Sequence, residues 1–401
     1  MEGMAGYCGP SVRSDCFVRI IPDQQAGCRI VLKSKVESLY GTSIRMLVED
    51  ILQFYGIRNV TVEIEDTGAL PYVIAARVEA AIRQLTETDR SFLLPLLPGN
   101  IYPTLRHARR RSRLYLPGDN PKLIINAGLY RSDGIILDLE DSVAPEKKDE
   151  ARLLVRNALR NNDWMHAEKM VRINQLPLGF QDLEMIVGQP LNLILIPKCE
   201  SPETVEAVNE KISALLGENN TDIWLMPIIE SAAGVHHAYE IAAATGTVAA
   251  LAIGLEDYTA DIGAQRTPEG TESFYARSVI VNASRAAGVQ PIDSVFSDFT
   301  NDEQLFKTAR ASRTMGFEGM GCIHPGQIPT IHCAFDPEPE EIEKAKRVVW
   351  AFEKAALEGK TVVTVGTKMV DPPVVKRAQN TIDLAIQSGL TDKAWRENYE
   401  G

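Results

Sequence analysis

Glu230 and Asp257 each stand just beyond an apolar run of the chain, at 223–229 and 248–253. Paired acids with no Cys or His beside them suit a hard, oxygen-preferring cation such as Mg2+, which keeps waters and accepts substrate oxygens as further ligands. The alternative is that both are solvated loop acids or helix caps. Arg172, in Val171-Arg-Ile-Asn174, ends another such run. There a guanidinium either grips a carboxylate or thioester oxygen in bidentate fashion or pairs with a neighbouring acid. Leu137-Asp-Leu-Glu-Asp-Ser142 adds Asp138, Glu140 and Asp141. At least one of these serves to hold a metal's water or Arg172, and the others can cap the next helix. His324, in Cys322-Ile-His-Pro325, is read as a structural hydrogen-bonding residue ahead of a general base. The cluster Arg106-His-Ala-Arg-Arg-Arg-Ser-Arg113 either binds the phosphates of a nucleotide-like cofactor or forms a solvated basic linker.

These groups need a scaffold that brings them to one place. Short apolar runs at 113–117, 134–138, 170–174, 193–197, 223–229, 248–253, 294–298 and 320–324 alternate with helical patterns, the signature of repeated βα units. Eight such runs predict a (β/α)8 barrel, a TIM-type fold whose strand ends converge on one face. That face would carry Asp138, Glu140, Asp141, Arg172, Asn174, Lys198, Glu200, Glu230, Glu256, Asp257, Asp298 and His324. Ahead of the barrel, extended runs at 16–22, 29–33 and 59–65 with helical spacing at 43–54 and 72–85 predict a small α+β module, ββαβα. Behind it, an acidic turn at 336–341 opens a helix to about 357, a Gly/Val/Thr segment covers 359–366, and a last helix runs from about 374 to 387. The expected organisation is a carrier-like domain at 1–98, a basic linker at 99–112, the barrel at 113–335 and a helical lid or oligomerisation extension at 336–401.

Composition narrows the function classes. The 401 residues are 45% hydrophobic and 24% charged, which is ordinary globular usage and excludes fibrous or disordered classes. With 42 basic and 54 acidic residues the net charge is −12, so most of the surface repels phosphate backbones and no nucleic-acid partner is expected. The six cysteines show no CxxC spacing, which argues against a disulfide framework or structural zinc site and favours a reducing cytoplasm. No apolar run approaches the roughly 18 residues of a membrane span, and no leader pattern opens the chain, so a soluble, unexported protein is expected.

The second segment resembles the citrate lyase β-subunit branch of the HpcH/HpaI aldolase superfamily. The matching motifs fall in order: Arg111-Ser-Arg-Leu-Tyr-Leu-Pro-Gly118, Gly134-Ile-Ile-Leu-Asp-Leu-Glu-Asp-Ser142, Val171-Arg-Ile-Asn174, Ile196-Pro-Lys198, Ile229-Glu-Ser231, Gly254-Leu-Glu-Asp-Tyr258, Ile323-His-Pro325 and Met369-Val-Asp371. The first segment resembles the γ-subunit, the acyl carrier protein of citrate lyase, through Ser14-Asp-Cys-Phe-Val-Arg19, Gly68-Ala-Leu70 and Ala75-Ala-Arg-Val-Glu-Ala-Ala81. The resemblance implies Mg2+ on Glu230 and Asp257, Arg172 at the substrate, and an acyl-thioester pantetheine arm passing Arg111, His324 and Pro325. It implies further that Asp371 is a lid aspartate over the site of a neighbouring subunit, hence a homo-oligomer (trimer or hexamer), and it raises a citrate lyase α-like transferase subunit as a partner. One departure stands out. The family's carriers attach a phosphoribosyl-dephospho-CoA arm to a serine two residues before the aspartate, and that position here is Arg13, leaving Ser14 beside Asp15. Either the arm moves to Ser14 or the domain has lost its cargo and the enzyme takes free CoA thioesters. Loss is favoured, because arginine changes both shape and charge where a transferase needs a hydroxyl.

The implied function is a Mg2+-dependent lyase that cleaves a 3-hydroxy-3-carboxyacyl thioester such as citryl-CoA into a 2-oxo acid like oxaloacetate and an acetyl thioester, with Arg172 and Asp371 catalytic. Glu140 and Asp141 are expected at the substrate. Malyl- or citramalyl-type thioesters are the alternative substrates, since the choice rests on loop shape that motifs do not reveal. A non-catalytic carrier or docking protein is the alternative class, opposed by the intact set Glu230, Asp257, Arg172 and Asp371.

Overall fold

The computed structural model describes residues 2–23, 27–217, 223–357, 362–365 and 368–399. The amino-terminal unit runs β1 (Gly3–Gly6), β2 (Cys16–Pro22), β3 (Cys28–Ser34), α1 (Glu37–Tyr55), β4 (Val60–Asp66) and α2 (Pro71–Arg83). Its sheet has the order β1-β2-β4-β3, with β3 parallel to β4 and the other pairs antiparallel. Burial alternates along β4 and along most of β2, the mark of a sheet with one covered face. β1 was not foreseen in the sequence. Its residues Gly-Met-Ala-Gly carry no β-branched side chain, and the strand exists because its glycines admit neighbouring backbone. A Cβ on Gly3 would sit 2.0 Å from the Ala81 carbonyl oxygen, and one on Gly6 would sit 1.9 Å from that of Cys16.

The barrel follows as β5 (Ser112–Pro117), α3 (Pro121–Ile124), β6 (Gly134–Asp138), α4 (Lys148–Asn161), β7 (Glu168–Arg172), α5 (Gly179–Ile186), β8 (Leu193–Ile196), α6 (Pro202–Leu216), β9 (Trp224–Ile229), α7 (Ala232–His236), α8 (Ala238–Ala243), β10 (Ala250–Ile253), α9 (Leu255–Asp261), α10 (Phe274–Ala287), β11 (Gln290–Asp293), α11 (Asp302–Met315), β12 (Gly319–Cys322) and α12 (Gln327–Phe335). β5 to β12 pair in parallel, and β12 returns to β5 to close the cylinder. Ile136, Met170, Leu193, Leu195, Met226, Ile228 and Ile292 fill its interior, so the barrel is a packed core open only at its mouth.

The seventh strand corrects the reading from sequence. It is Gln290–Asp293, not 294–298, and Asp298 lies beyond it, accepting hydrogen bonds from the Thr300 N–H and hydroxyl. Pro291 sits inside this strand, and a proline there disguises the run as a loop. The strand accommodates it because the proline carbonyl still accepts the Glu318 N–H.

α2 joins the two units. Tyr72 to Ile82 are buried on every side of this helix, because one face covers the sheet and the other packs on α4. Ion pairs cross the seam: Arg156 binds Glu79 through Nη1 at 3.0 Å and Nη2 at 2.7 Å, and Arg77 reaches Glu150 at 2.9 Å. Asn157 donates to the Tyr72 carbonyl.

The arginine cluster before the barrel is not a solvated linker. Arg110 is buried against Glu168 and Gln290, and Arg109 pairs with Asp336. The extension comprises α13 (Pro339–Leu357), a two-stranded ribbon of β13 (Val363–Val365) and β14 (Lys368–Val370), and α14 (Pro372–Gln387). Val348, Val349, Val370, Ile382 and Trp395 form its own small core. Of the expected 359–366 segment, 359–361 and 366 lie outside the described residues.

Candidate active site

The carboxyl ends of the barrel strands surround a cavity of about 500 Å3 lined by Arg113, Tyr115, Asp138, Asp141, Arg172, Glu230 and Asp257 among others. Arg172 is the last residue of β7 and Asp138 the last of β6, level with each other in the register. Parallel neighbours at the same height place a guanidinium beside a carboxylate, and the two form a double hydrogen bond, Nε to Oδ1 at 2.7 Å and Nη2 to Oδ2 at 2.8 Å. Burial opposes charge on Asp138, yet the hydrogen bonds and charge of Arg172 hold its carboxyl below the usual range. The remaining nitrogen, Nη1, faces Glu140 Oε2 at 2.9 Å and Asp141 Oδ2 at 3.5 Å. Burial pushes the Glu140 carboxyl up. Both readings of Arg172 therefore coexist: it pairs with a strand-end acid and it lines the cavity.

Glu230 follows β9 and is buried; Asp257 lies in the first turn of α9, half exposed. The two carboxyls share a hydrogen bond, and burial together with that bond pushes Glu230 up to about 8. Two carboxyls this close together offer oxygens that suit a hard cation. The space is prepared as well: a Cβ on Gly254 would come within 2.8 Å of the Glu230 carboxylate, so only glycine leaves room for this acid. No cluster of three or more His, Cys, Asp or Glu with metal-holding geometry occurs among the described residues. Mg2+ is commonly held by one or two carboxylates, with water and substrate completing its shell, and Glu230 and Asp257 offer such a pair.

Lys198, present in the motifs but not singled out from sequence, belongs to the same cluster. Its backbone N–H donates to Glu230 Oε1 at 3.1 Å, and its Nζ lies 3.4 Å from Glu140, 3.5 Å from Asp141 and 3.9 Å from Asp257. Its φ of +45° is uncommon for a residue with a side chain. A lysine directly after the proline that follows β8 was the available signal. Arg113 is the second omission. It faces inward on β5, one layer below Tyr115, and was counted with the basic cluster.

Other expected site residues fall elsewhere. Arg111 precedes β5, at the end of the barrel away from the mouth, and is tied to Asp133 and Asp336. It is not among the residues that line the cavity, although Arg113, two residues on, is. Ile323 lines the cavity, whereas His324 stacks on Phe299 at 5.3 Å and accepts the Gly326 N–H through Nδ1, at the rim with Pro325. Asp371 caps α14 by accepting the Val374 N–H and is not among the residues around the cavity. Ser14 is held at φ +59°, next to Asp15, which is locked to Arg77 by two hydrogen bonds of 3.0 and 2.9 Å.

The sequence model of the HpcH/HpaI aldolase/citrate lyase family matches residues 111–325. Residues 5–85 match the ACP model, that of the malonate decarboxylase delta subunit (MdcD). The chain is 36% identical over 289 residues to the citrate lyase subunit beta of Haemophilus influenzae, covering 71% of this chain and 99% of that one. It is 35% identical over 294 residues to the mitochondrial citramalyl-CoA lyase of Homo sapiens, covering 70% and 86%. Among solved structures, protein CitE from Mycobacterium tuberculosis in complex with magnesium, acetoacetate and coenzyme A aligns with a TM-score of 0.59 at 30% identity, covering 70% of this chain and 99% of that one.

Proposed function

The chain belongs to the HpcH/HpaI aldolase/citrate lyase family, and from that premise we propose that it is a Mg2+-dependent carbon–carbon lyase acting on a 3-hydroxy-3-carboxyacyl thioester of the citryl-CoA kind. The observation that carries this reading is the meeting of Glu230, Asp257 and Arg172 around one cavity at the barrel mouth.

Glu230 and Asp257 are the groups that would hold Mg2+, and the bound ion supplies Lewis-acid stabilisation of negative charge on oxygen. The hydroxyl of the substrate passes its proton to water at the cavity mouth, its oxygen becomes the carbonyl of the 2-oxo acid as the bond to the thioester α-carbon breaks, and the electron pair of that bond moves into the thioester enolate. Arg172, its fork fixed by Asp138, turns its charge toward that enolate oxygen in a site screened from bulk water. Asp371, delivered by a neighbouring subunit, protonates the α-carbon and completes the acetyl thioester; in the condensation direction it removes that proton. The remoteness of Asp371 from the cavity of its own chain supports a homo-oligomer with exchanged lids. A transferase subunit and a tethered arm on Ser14 are not needed, since a free CoA thioester satisfies the same chemistry. A cytoplasmic location fits the six unpaired cysteines, and no described helix is long and apolar enough to cross a membrane.

Asp257→Ala tests the reading. Turnover of citryl-CoA with Mg2+ should vanish while circular dichroism and melting remain those of the parent, and excess chelator should silence the parent protein. Full activity under either condition overturns the metal assignment.

A further inference from the structure

Five arginines are buried: Arg77, Arg110, Arg113, Arg152 and Arg156. Four of them meet carboxylates, Arg77 with Asp15 and Glu150, Arg110 with Glu168, Arg152 with Asp182, and Arg156 with Glu79. Arg113 is the exception among the described residues. It is 1% exposed, and its guanidinium donates only to the Met226 sulfur at 2.9 Å and the Asp293 carbonyl at 3.3 Å, while Nε has no partner. The nearby Asp293 carboxylate is already committed to Arg277 and Ser312. A buried cation facing one carbonyl and one thioether keeps most of its five donors in want of an acceptor, and an unpaired buried charge is costly.

The group nevertheless borders open space, the cavity at the barrel mouth. The residues level with Arg113 on the two flanking strands are both glycines, Gly134 on β6 and Gly321 on β12. Arg113 and Gly321 both line the cavity that holds Arg172, Glu230 and Asp257. Carboxylates at the mouth are divided between Arg172, Lys198 and the metal pair, so none is left for the cation on the floor.

Resting on the lyase reading, we propose that Arg113 is the specificity residue for the branch at the substrate's 3-position, and that it binds a carboxylate carried there on a methylene. A citryl thioester bears that carboxymethyl group, a citramalyl thioester has a methyl in its place and a malyl thioester only hydrogen. A bidentate guanidinium–carboxylate pair inside the cavity satisfies both the floor cation and the branch anion. A site built to bind a charged group discriminates strongly against analogues that lack it, because its own polar groups are then left unpaired. The substrate class is thus a hydroxyacyl thioester with two free carboxylates, and the matching 2-oxo acid is a dicarboxylate of the oxaloacetate type.

The test compares kcat/KM for citryl-CoA and citramalyl-CoA in the full-length parent and in Arg113→Met. The parent should prefer citryl-CoA, and the substitution should reduce the ratio of the two by roughly a hundredfold. A parallel fall for both thioesters, or an unchanged ratio, overturns the proposal, since a purely structural arginine would affect both alike. Should Arg113→Met fail to fold, the parent alone decides by isothermal titration with Mg2+: oxaloacetate should bind at least about tenfold more tightly than pyruvate, and equal affinity overturns it. The same titration separates this idea from the lyase reading, because product-acid binding requires no turnover.

Discussion

Arg172 and Asp138 meet fork to fork, Nε to Oδ1 at 2.7 Å and Nη2 to Oδ2 at 2.8 Å, at the ends of adjacent parallel strands. Two parallel hydrogen bonds fix the plane of the guanidinium as well as its position, so the third nitrogen is aimed by the pair and not by rotamer choice. Arg172→Lys keeps the charge and loses the plane. We expect kcat for thioester cleavage to fall about a hundredfold or more with a smaller change in KM. Steady-state kinetics on the purified variant checks this, and a change confined to KM would contradict the role.

Gly254→Ala tests how tightly the metal pair is housed. The added methyl comes within 2.8 Å of the Glu230 side chain, whereas the backbone at this position has an ordinary negative φ. Strain in the chain is thus not the issue, and Glu230 must swing away. The expected outcome is weaker Mg2+ binding by titration calorimetry, at least about tenfold, with a melting temperature close to that of the parent.

Lys169 gives the protein a pH signature. It is buried, donates to the Asn100 carbonyl at 2.8 Å and lies over the Tyr102 ring. Burial lowers its ammonium to about 7, against the pull of Glu168. Between that value and its ordinary value of 10.5 the unfolded chain holds a proton that the folded one does not, so this group adds stability as pH rises. Below pH 7 both states are protonated and the contribution is flat. The melting temperature of the parent relative to Lys169→Met should therefore increase from pH 7 to 9.5; a constant difference contradicts the assignment.

Arg77→Met removes a cation that holds Asp15 and Glu150 together across the seam between the two units. Leaving the buried Asp15 without its cation, with Glu150 keeping only Lys147 as an ion-pair partner, costs about 3–5 kcal/mol, and urea unfolding monitored by fluorescence measures it. The companion substitution Glu150→Gln, which leaves the Arg77–Asp15 pair in place, should cost less.

Mixed oligomers test the shared lid. Asp371→Ala and Glu230→Gln should each be inactive alone, and refolding them together should restore turnover, because an intact aspartate from one chain then faces an intact metal pair in another. No recovery on mixing contradicts the exchange.

The barrel was legible in the sequence because its strands are continuous apolar runs and polar residues mark their ends; Arg172, Glu230 and Asp257 stood out there as candidates, and their roles came from the family resemblance. What stayed hidden had physical causes. β1 is made of small residues selected for close backbone approach, and β11 hides behind Pro291. Arg111 and Arg113 are two residues apart in a basic run, yet one ends up beneath the barrel and the other inside it. Composition treats them alike, and only the start of β5 at Ser112 separates them. Asp371 was recognised by its motif, and in the single chain it caps α14 and does not line the cavity.

The helix common to both cores has a mechanical consequence. Carrier modules work by wandering, and wandering needs a surface that tolerates water when undocked. Here Tyr72 to Ile82 have no such surface, so cutting the chain at residue 98 would strip an oily face from each half and invite precipitation.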